Sequence, residues 1–175
     1  MNGIVRDAIA DDSDAILAIY AYYIENTAAT FEEEVPSRAD FRARVEGILP
    51  TYPYVVYEEG GVVRGYAYAS KNRERVAYRY NVDVSVYVDK DAAGRGIGLA
   101  LYEALFARLA DTQYVNAYAV IVLPNDASIR LHERFGFTSV GTLRRTGYKF
   151  GAWHDVIWME KRLRHSIAPP NPNEA

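Results

Sequence analysis

The chain has 175 residues, 50% of them hydrophobic, which suits one domain with a sizeable core. Its formal net charge of -3 lacks the basic excess of a nucleic-acid binder, and the absence of cysteine excludes disulfides, thiolate-held metal and a thiol acyl-enzyme. No run is apolar for long enough to span a bilayer, and residues 1–7 lack the basic and apolar regions of a signal peptide, so a cytoplasmic protein with neither membrane nor metal is expected.

In chain order, a short strand at residues 4–8 precedes Asp11, Asp12, Ser13 and Asp14, which offer N-cap chemistry to a helical run over 15–24. Pro36 and Ser37 open a second helix that buries Phe41, Val45 and Ile48, and Pro50 and Pro53 stop it. Two Val- and Tyr-rich strands, 54–58 and 62–69, flank a Gly60-Gly61 turn and read as a hairpin. Further strands are expected at 80–88 and 115–123, with a helix at 99–110 between them. Two last strands, 138–148 and 153–162, surround a bend at Gly151. One domain over 1–164 follows, and the proline-rich tail, 165–175, is expected to be disordered.

The functional signal lies between Val86 and Phe137. After the strand comes a glycine-dense turn, Gly94-Arg95-Gly96-Ile97-Gly98. A dinucleotide fingerprint starting at Gly94 would need Gly or Ala where Leu99 stands, and no GxxxxGK[ST] loop occurs. What remains is either a flexible strand-to-helix turn or a backbone cradle for pyrophosphate at a helix N-terminus, to which Arg95 would add a cation. Further on, Asn125 supplies an N-cap, and Asn125, Ser128 and His132 stand at i, i+3 and i+7 on one helix face. That polar stripe suits an elongated polar ligand.

These residues resemble the GCN5-related N-acetyltransferase (GNAT) family over residues 4–162, and within it the phosphinothricin and methionine-sulfoximine acetyltransferases. The resemblance is carried by Thr30-Phe31-Glu32, Gly65-Tyr66-Ala67, Ser85-Val86-Tyr87-Val88, Gly96-Ile97-Gly98, Asn125-Asp126-Ala127-Ser128-Ile129-Arg130-Leu131-His132-Glu133, and the stretch from Gly147-Tyr148-Lys149 to His154-Asp155. It implies an α/β (α+β) fold with a mixed, strongly twisted sheet, splayed central strands and flanking helices, acting as a homodimer. Acetyl-CoA would sit in the splay, with backbone groups of Val86, Tyr87 and Val88 on pantetheine, amides from Gly94 to Leu99 on pyrophosphate, and Asn125 and Ser128 beside them. Ala93 departs from the family's usual Gln or Arg, which removes a side-chain phosphate contact. Asp83 stands where the subgroup commonly has Glu, and His132 where many members have a Tyr thought to protonate the departing thiolate.

An amine attacks a thioester only when neutral. An α-amino group of pKa about 8 is roughly one-tenth neutral at pH 7, a deficit of about 1.4 kcal/mol, against about 4.6 kcal/mol for a lysine-like amine. Asp83 is the candidate base, acting through water, or else a structural acceptor; His132 is a candidate acid or else a buried second-layer histidine. Arg73, Arg75, Arg79 and Lys149 are candidate clamps for a small amino-acid-like substrate, or else solvated charges, and Phe31 would cover its apolar middle. His154 either lines the same pocket or makes structural bonds. Acetylation of a polyamine or protein N-terminus, and a non-catalytic CoA sensor, remain as alternatives; the arginines disfavour a polyamine and the retained carboxylate disfavours a sensor.

Overall fold

The computed structural model describes residues 3–164, so the expected tail disorder falls outside the described residues. Seven strands form one mixed sheet: β1 (Ile4–Asp7), β2 (Tyr54–Glu59), β3 (Val62–Lys71), β4 (Asn81–Val88), β5 (Asn116–Val122), β6 (Thr138–Lys149) and β7 (Ala152–Arg162), in the order β1-β2-β3-β4-β5-β7-β6. All neighbours are antiparallel except β4 and β5, which run parallel. A parallel pair needs a long crossover, and the glycine turn with α3 (Ile97–Ala110) supplies it.

Alternation along the strands divides the core between the two faces of the sheet. On one, Ile97, Leu101, Leu105 and Leu109 of α3 recur at helical spacing and pack on Val82, Val84, Ala117 and Ala119. On the other, α1 (Ser13–Asn26) and α2 (Arg38–Ile48) bury Ile16, Ile19, Phe41 and Val45 against Tyr54, Val56 and Tyr66. α4 (Asp126–Arg134) follows β5.

The expected helix starts are partly realised. Ser37 caps α2, its Oγ accepting from Asp40 N at 3.1 Å. No side chain caps α1; Asp12 instead closes a short 3-10 turn by accepting from Ile9 N at 2.9 Å and pairs with Arg6 at 2.7 Å. The nearby guanidinium outcompetes the helix start for that carboxylate. α3 begins at Ile97, two residues ahead of the expected Leu99, because Gly96 adopts φ 80° and serves as its N-cap.

Gly47 lies in exposed α2 with open space where a Cβ would stand and no positive φ. Gly47→Ala is therefore expected to stabilise the fold by about 0.5–1 kcal/mol, read as a higher denaturant midpoint at unchanged slope.

Candidate active site

β4 and β5 pair only from Asn81↔Asn116 to Asp83↔Tyr118, and beyond that point they part. Asp89 N donates to Arg64 O at 2.8 Å on the β3 side, whereas Tyr80 O accepts from Val115 N at 2.7 Å on the β5 side. By alternation, the backbone groups of Val84, Val86 and Val88 face the gap, and those of Ser85 and Tyr87 serve β3. Backbone of Val86 and Val88 thus turns toward the gap, but not that of Tyr87. The Tyr87 side chain packs on the α1 face, its ring 5.3 Å from Tyr66 and 5.0 Å from Tyr23. Tyr23 donates its hydroxyl to Val88 O at 2.6 Å.

The gap opens into a cleft of about 250 Å³ walled by Val84 and Val86, Ala119 and Ile121, Tyr102 of α3 and His132 of α4. At one end stands the α3 N-terminus, whose first amides have no intrahelical acceptor. Gly94 and Gly96 have φ of 76° and 80°, and a Cβ on either would meet nothing within 4 Å. The turn is therefore an open concavity of backbone donors, a geometry that suits a pyrophosphate. Gly98 is different: a Cβ there would come within 3.3 Å of Leu131, so its smallness brings α3 and α4 together. Arg95 points its guanidinium at Glu59, with Nη2 2.7 and 2.9 Å from the two carboxylate oxygens.

Asn125, Ser128 and His132 all line the cleft. Asn125 Oδ1 accepts from Ser128 N at 3.2 Å, the N-cap expected from the sequence. His132 is buried, and its Nδ1 lies 2.7 Å from Ser128 O, an oxygen that can only accept. Nδ1 must then carry the proton, which leaves Nε2 to accept from the Tyr102 hydroxyl at 2.8 Å. Burial also pushes the imidazole pKa down, against the smaller effect of the Ser128 bond. Both nitrogens of His132 are thus engaged, and its burial disfavours the imidazolium. Its Nε2 meets the hydroxyl of Tyr102, a second cleft residue whose place on the apolar face of α3 makes it look like core in the sequence.

Asp83 projects from the last paired position of β4, on the face opposite α3. Asn72 Nδ2 donates to its Oδ1 at 2.6 Å. Burial pushes this carboxyl above its ordinary pKa; the Asn72 bond and the Arg73 charge pull it back in part. Arg73 lies over the rings of Tyr78 and Trp158, at 5.4 and 5.7 Å. Of the three arginines singled out in the sequence, Arg73 alone is drawn to Asp83. Arg79 lies over Tyr80 at 4.7 Å, and Arg75 precedes an exposed 3-10 turn. Charge density in a loop carries no direction, which is why the sequence grouped them.

Lys149 is not displayed as a clamp. Only 3% exposed, it donates Nζ to Thr30 O at 2.8 Å, and burial lowers its pKa against the pull of Glu33 and Glu32. It ties the α1–α2 loop to the β6–β7 hairpin. Phe31 of that loop lies directly over Gly147, where any Cβ would collide with its ring, and 6.3 Å from the ring of His154. His154 Nε2 donates to Lys149 O at 3.1 Å, which closes the same junction.

β4 thus contributes backbone to a cleft that reaches the first turn of α3, and at its last paired position carries a carboxylate near Arg73. Among the described residues no helix is long and apolar enough to cross a membrane.

Known proteins resemble this chain over most of its length. The chain is 39% identical over 168 residues to phosphinothricin N-acetyltransferase of Streptomyces viridochromogenes, covering 96% of this chain and 91% of that one. It is 36% identical to the L-methionine sulfoximine/L-methionine sulfone acetyltransferase of Salmonella typhimurium, covering 94% and 97%. A crystal structure of a phosphinothricin acetyltransferase from Sinorhizobium meliloti in complex with AcCoA superposes with a TM-score of 0.91 at 40% identity, over 96% of this chain and 92% of that one. Residues 5–158 match the acetyltransferase (GNAT) domain, and the chain belongs to the GNAT acetyltransferase family.

Proposed function

We propose that this protein moves the acetyl group of acetyl-CoA directly to the amine of a small amino-acid-like substrate of the phosphinothricin or methionine-sulfoximine kind. The observation that carries the reading is the gap between β4 and β5, which begins just past the Asp83↔Tyr118 pair and opens into a cleft lined by strand backbone and by Gly98 in the first turn of α3. The identity to enzymes with those names supports the substrate class.

The residues present fit acetyl-CoA. The open Gly94–Gly96 concavity accepts its pyrophosphate through backbone amides, including those of Ile97, Gly98 and Leu99. Val86 and Val88 offer strand-like backbone partners to its extended arm, and Asn125 and Ser128 flank the channel. When bound, acetyl-CoA supplies an acetyl group activated as a thioester. Asp83 takes the proton of the incoming ammonium, directly or through one water, and its burial makes it a stronger base than an ordinary aspartate. Arg73, over the rings of Tyr78 and Trp158, presents a cation to the carboxylate of the substrate, while Phe31 walls its apolar middle. His132 keeps the Tyr102 hydroxyl in one orientation on the cleft wall. With a thiol pKa of about 8.5, the departing sulfur can leave as thiolate and be protonated by solvent, so no dedicated acid is required.

Two features support a homodimer: Val140 and Leu143 on edge strand β6, and Tyr148, Phe150 and Trp153 at the β6–β7 tip, are all at least half exposed. Need for acetyl-CoA and the lack of cysteine suit a cytoplasmic setting.

The test is release of free CoA from acetyl-CoA with phosphinothricin, methionine sulfoximine, methionine sulfone, common amino acids, polyamines and N-terminal peptides. A response confined to the amino-acid analogues is expected. Preference for polyamines or peptides would overturn the substrate class, and silence with intact acetyl-CoA binding would overturn the transferase reading.

A further inference from the structure

Asp83 has two carboxylate oxygens in unlike surroundings. Oδ1 accepts from Asn72 Nδ2 at 2.6 Å. Oδ2 makes no hydrogen bond to the described residues, and it is not among the atoms sealed from solvent without a partner. Asn72 directly follows the last residue of β3, whose Ser70 stands opposite Asp83 in register. The amide thus reaches the carboxylate from a rigid strand end. The next residue, Arg73, lies over the rings of Tyr78 and Trp158.

A carboxylate on a β-strand is free to rotate about its terminal bond, a broad torsion without deep wells. A base acts only within hydrogen-bond reach of the proton it takes, so an unheld carboxylate would spend much of its time misaligned. Resting on the reading of Asp83 as base, we infer that Asn72 is a positioning residue for the reaction: by occupying Oδ1 it fixes the carboxylate plane and leaves Oδ2 to receive the proton of the amine. An N–H bond of the ammonium breaks and leaves its electron pair on nitrogen; that pair forms the bond to the acetyl carbon as the carbon–sulfur bond breaks, its electrons leaving with the thiolate. The proton passes to Oδ2, directly or through one water, and then to solvent.

The groups facing Asp83 set the sign of the pH effect. Arg73 from the loop favours the ionised carboxylate, and the Asn72 donor does the same. Tyr68 on β3 and Tyr118 on β5 are close enough to interact with it, but both are neutral below their raised pKa values. Removing the Asn72 donor therefore raises the pKa of Asp83 and costs activity on the acid side. A hydrogen bond to a charged group corresponds to a shift of about one to two pH units.

The experiment compares Asn72→Leu, which keeps the volume, and Asn72→Asp, which places a second carboxylate against the first, with wild type and Asp83→Asn. The readouts are kcat from pH 5 to 9 at saturating acetyl-CoA and amine, KM for the amine, acetyl-CoA affinity by titration, and melting temperature. Asn72→Leu is expected to move the acid limb up by about one to two pH units and to lower plateau kcat about tenfold, with KM and acetyl-CoA affinity within threefold. Asn72→Asp is expected to move the limb further, since two close carboxylates cannot both ionise freely. An unmoved limb in both folded variants overturns the inference. Should Asn72→Leu fail to fold, Asn72→Ser and Asn72→Asp carry the same test. If the activity of Asp83→Asn differs from wild type by the same factor at every pH, the base assignment itself fails; if Asp83→Asn behaves as a base deletion while the Asn72 variants leave the limb in place, only the role of Asn72 fails.

Discussion

Asp83→Asn should lower turnover about 100-fold near pH 7 while leaving acetyl-CoA affinity within twofold, the usual size of a lost general base. The pH dependence is the more telling part. With the carboxylate present, the enzyme can use the abundant ammonium form of its substrate between the pKa of Asp83 and that of the amine. Without it, only the neutral amine reacts, and that fraction rises tenfold per pH unit up to a pKa of about 8. The deficit of the variant should therefore shrink as pH rises. Steady-state rates at pH 6, 7, 8 and 9 measure it. A constant ratio would make Asp83 a structural acceptor at the point where the strands part, with burial raising its pKa for no catalytic end.

Gly96→Val should weaken acetyl-CoA binding about 100-fold or more with a modest loss of stability. Gly96 sits at φ 80° with open space around the missing Cβ, so the fold itself makes no steric demand there. Its backbone shape costs a branched residue about 1–3 kcal/mol, and the new side chain projects into the concavity formed by the α3 amides. Isothermal titration reads the affinity and thermal melting the stability. Gly98 would be a poorer probe, because its Cβ would press on Leu131 at 3.3 Å and disturb the packing of two helices. Unchanged affinity in folded Gly96→Val would remove the pyrophosphate from this turn.

What the sequence revealed and what it hid divide along one line. The glycine turn, the Ser37 and Asn125 caps and the stripe of Asn125, Ser128 and His132 are local patterns, and spacing alone finds them. The mixed sheet with parted central strands came with the family resemblance, and the TM-score of 0.91 to an acetyltransferase bears it out. The partners that redefine individual residues are distant. Lys149 meets Thr30 across 119 positions, Arg95 meets Glu59 across 36, and His132 meets Tyr102 across 30. Each changes a group that looked available into one that is engaged. Asn72 and Asp83 are closer in the chain, 11 positions apart, yet the sequence offered no reason to prefer that asparagine over its charged neighbours.

A sheet ordinarily ends at its outermost strands, here β1 and β6. The parting of β4 from β5 gives this one a third margin in its interior, and its two halves are stitched directly only near the start of β4, from Tyr80 to Asp83. Bare strand margins invite pairing with other chains. This one lies within the cleft that Tyr23 and residues of α4 line, where an extended molecule can pair with it. A ligand lying along that seam acts as the missing strand as well as a reactant. Rigidity of the whole sheet then tracks the supply of the acyl donor: amides flanking the seam should exchange hydrogen more slowly as the donor accumulates.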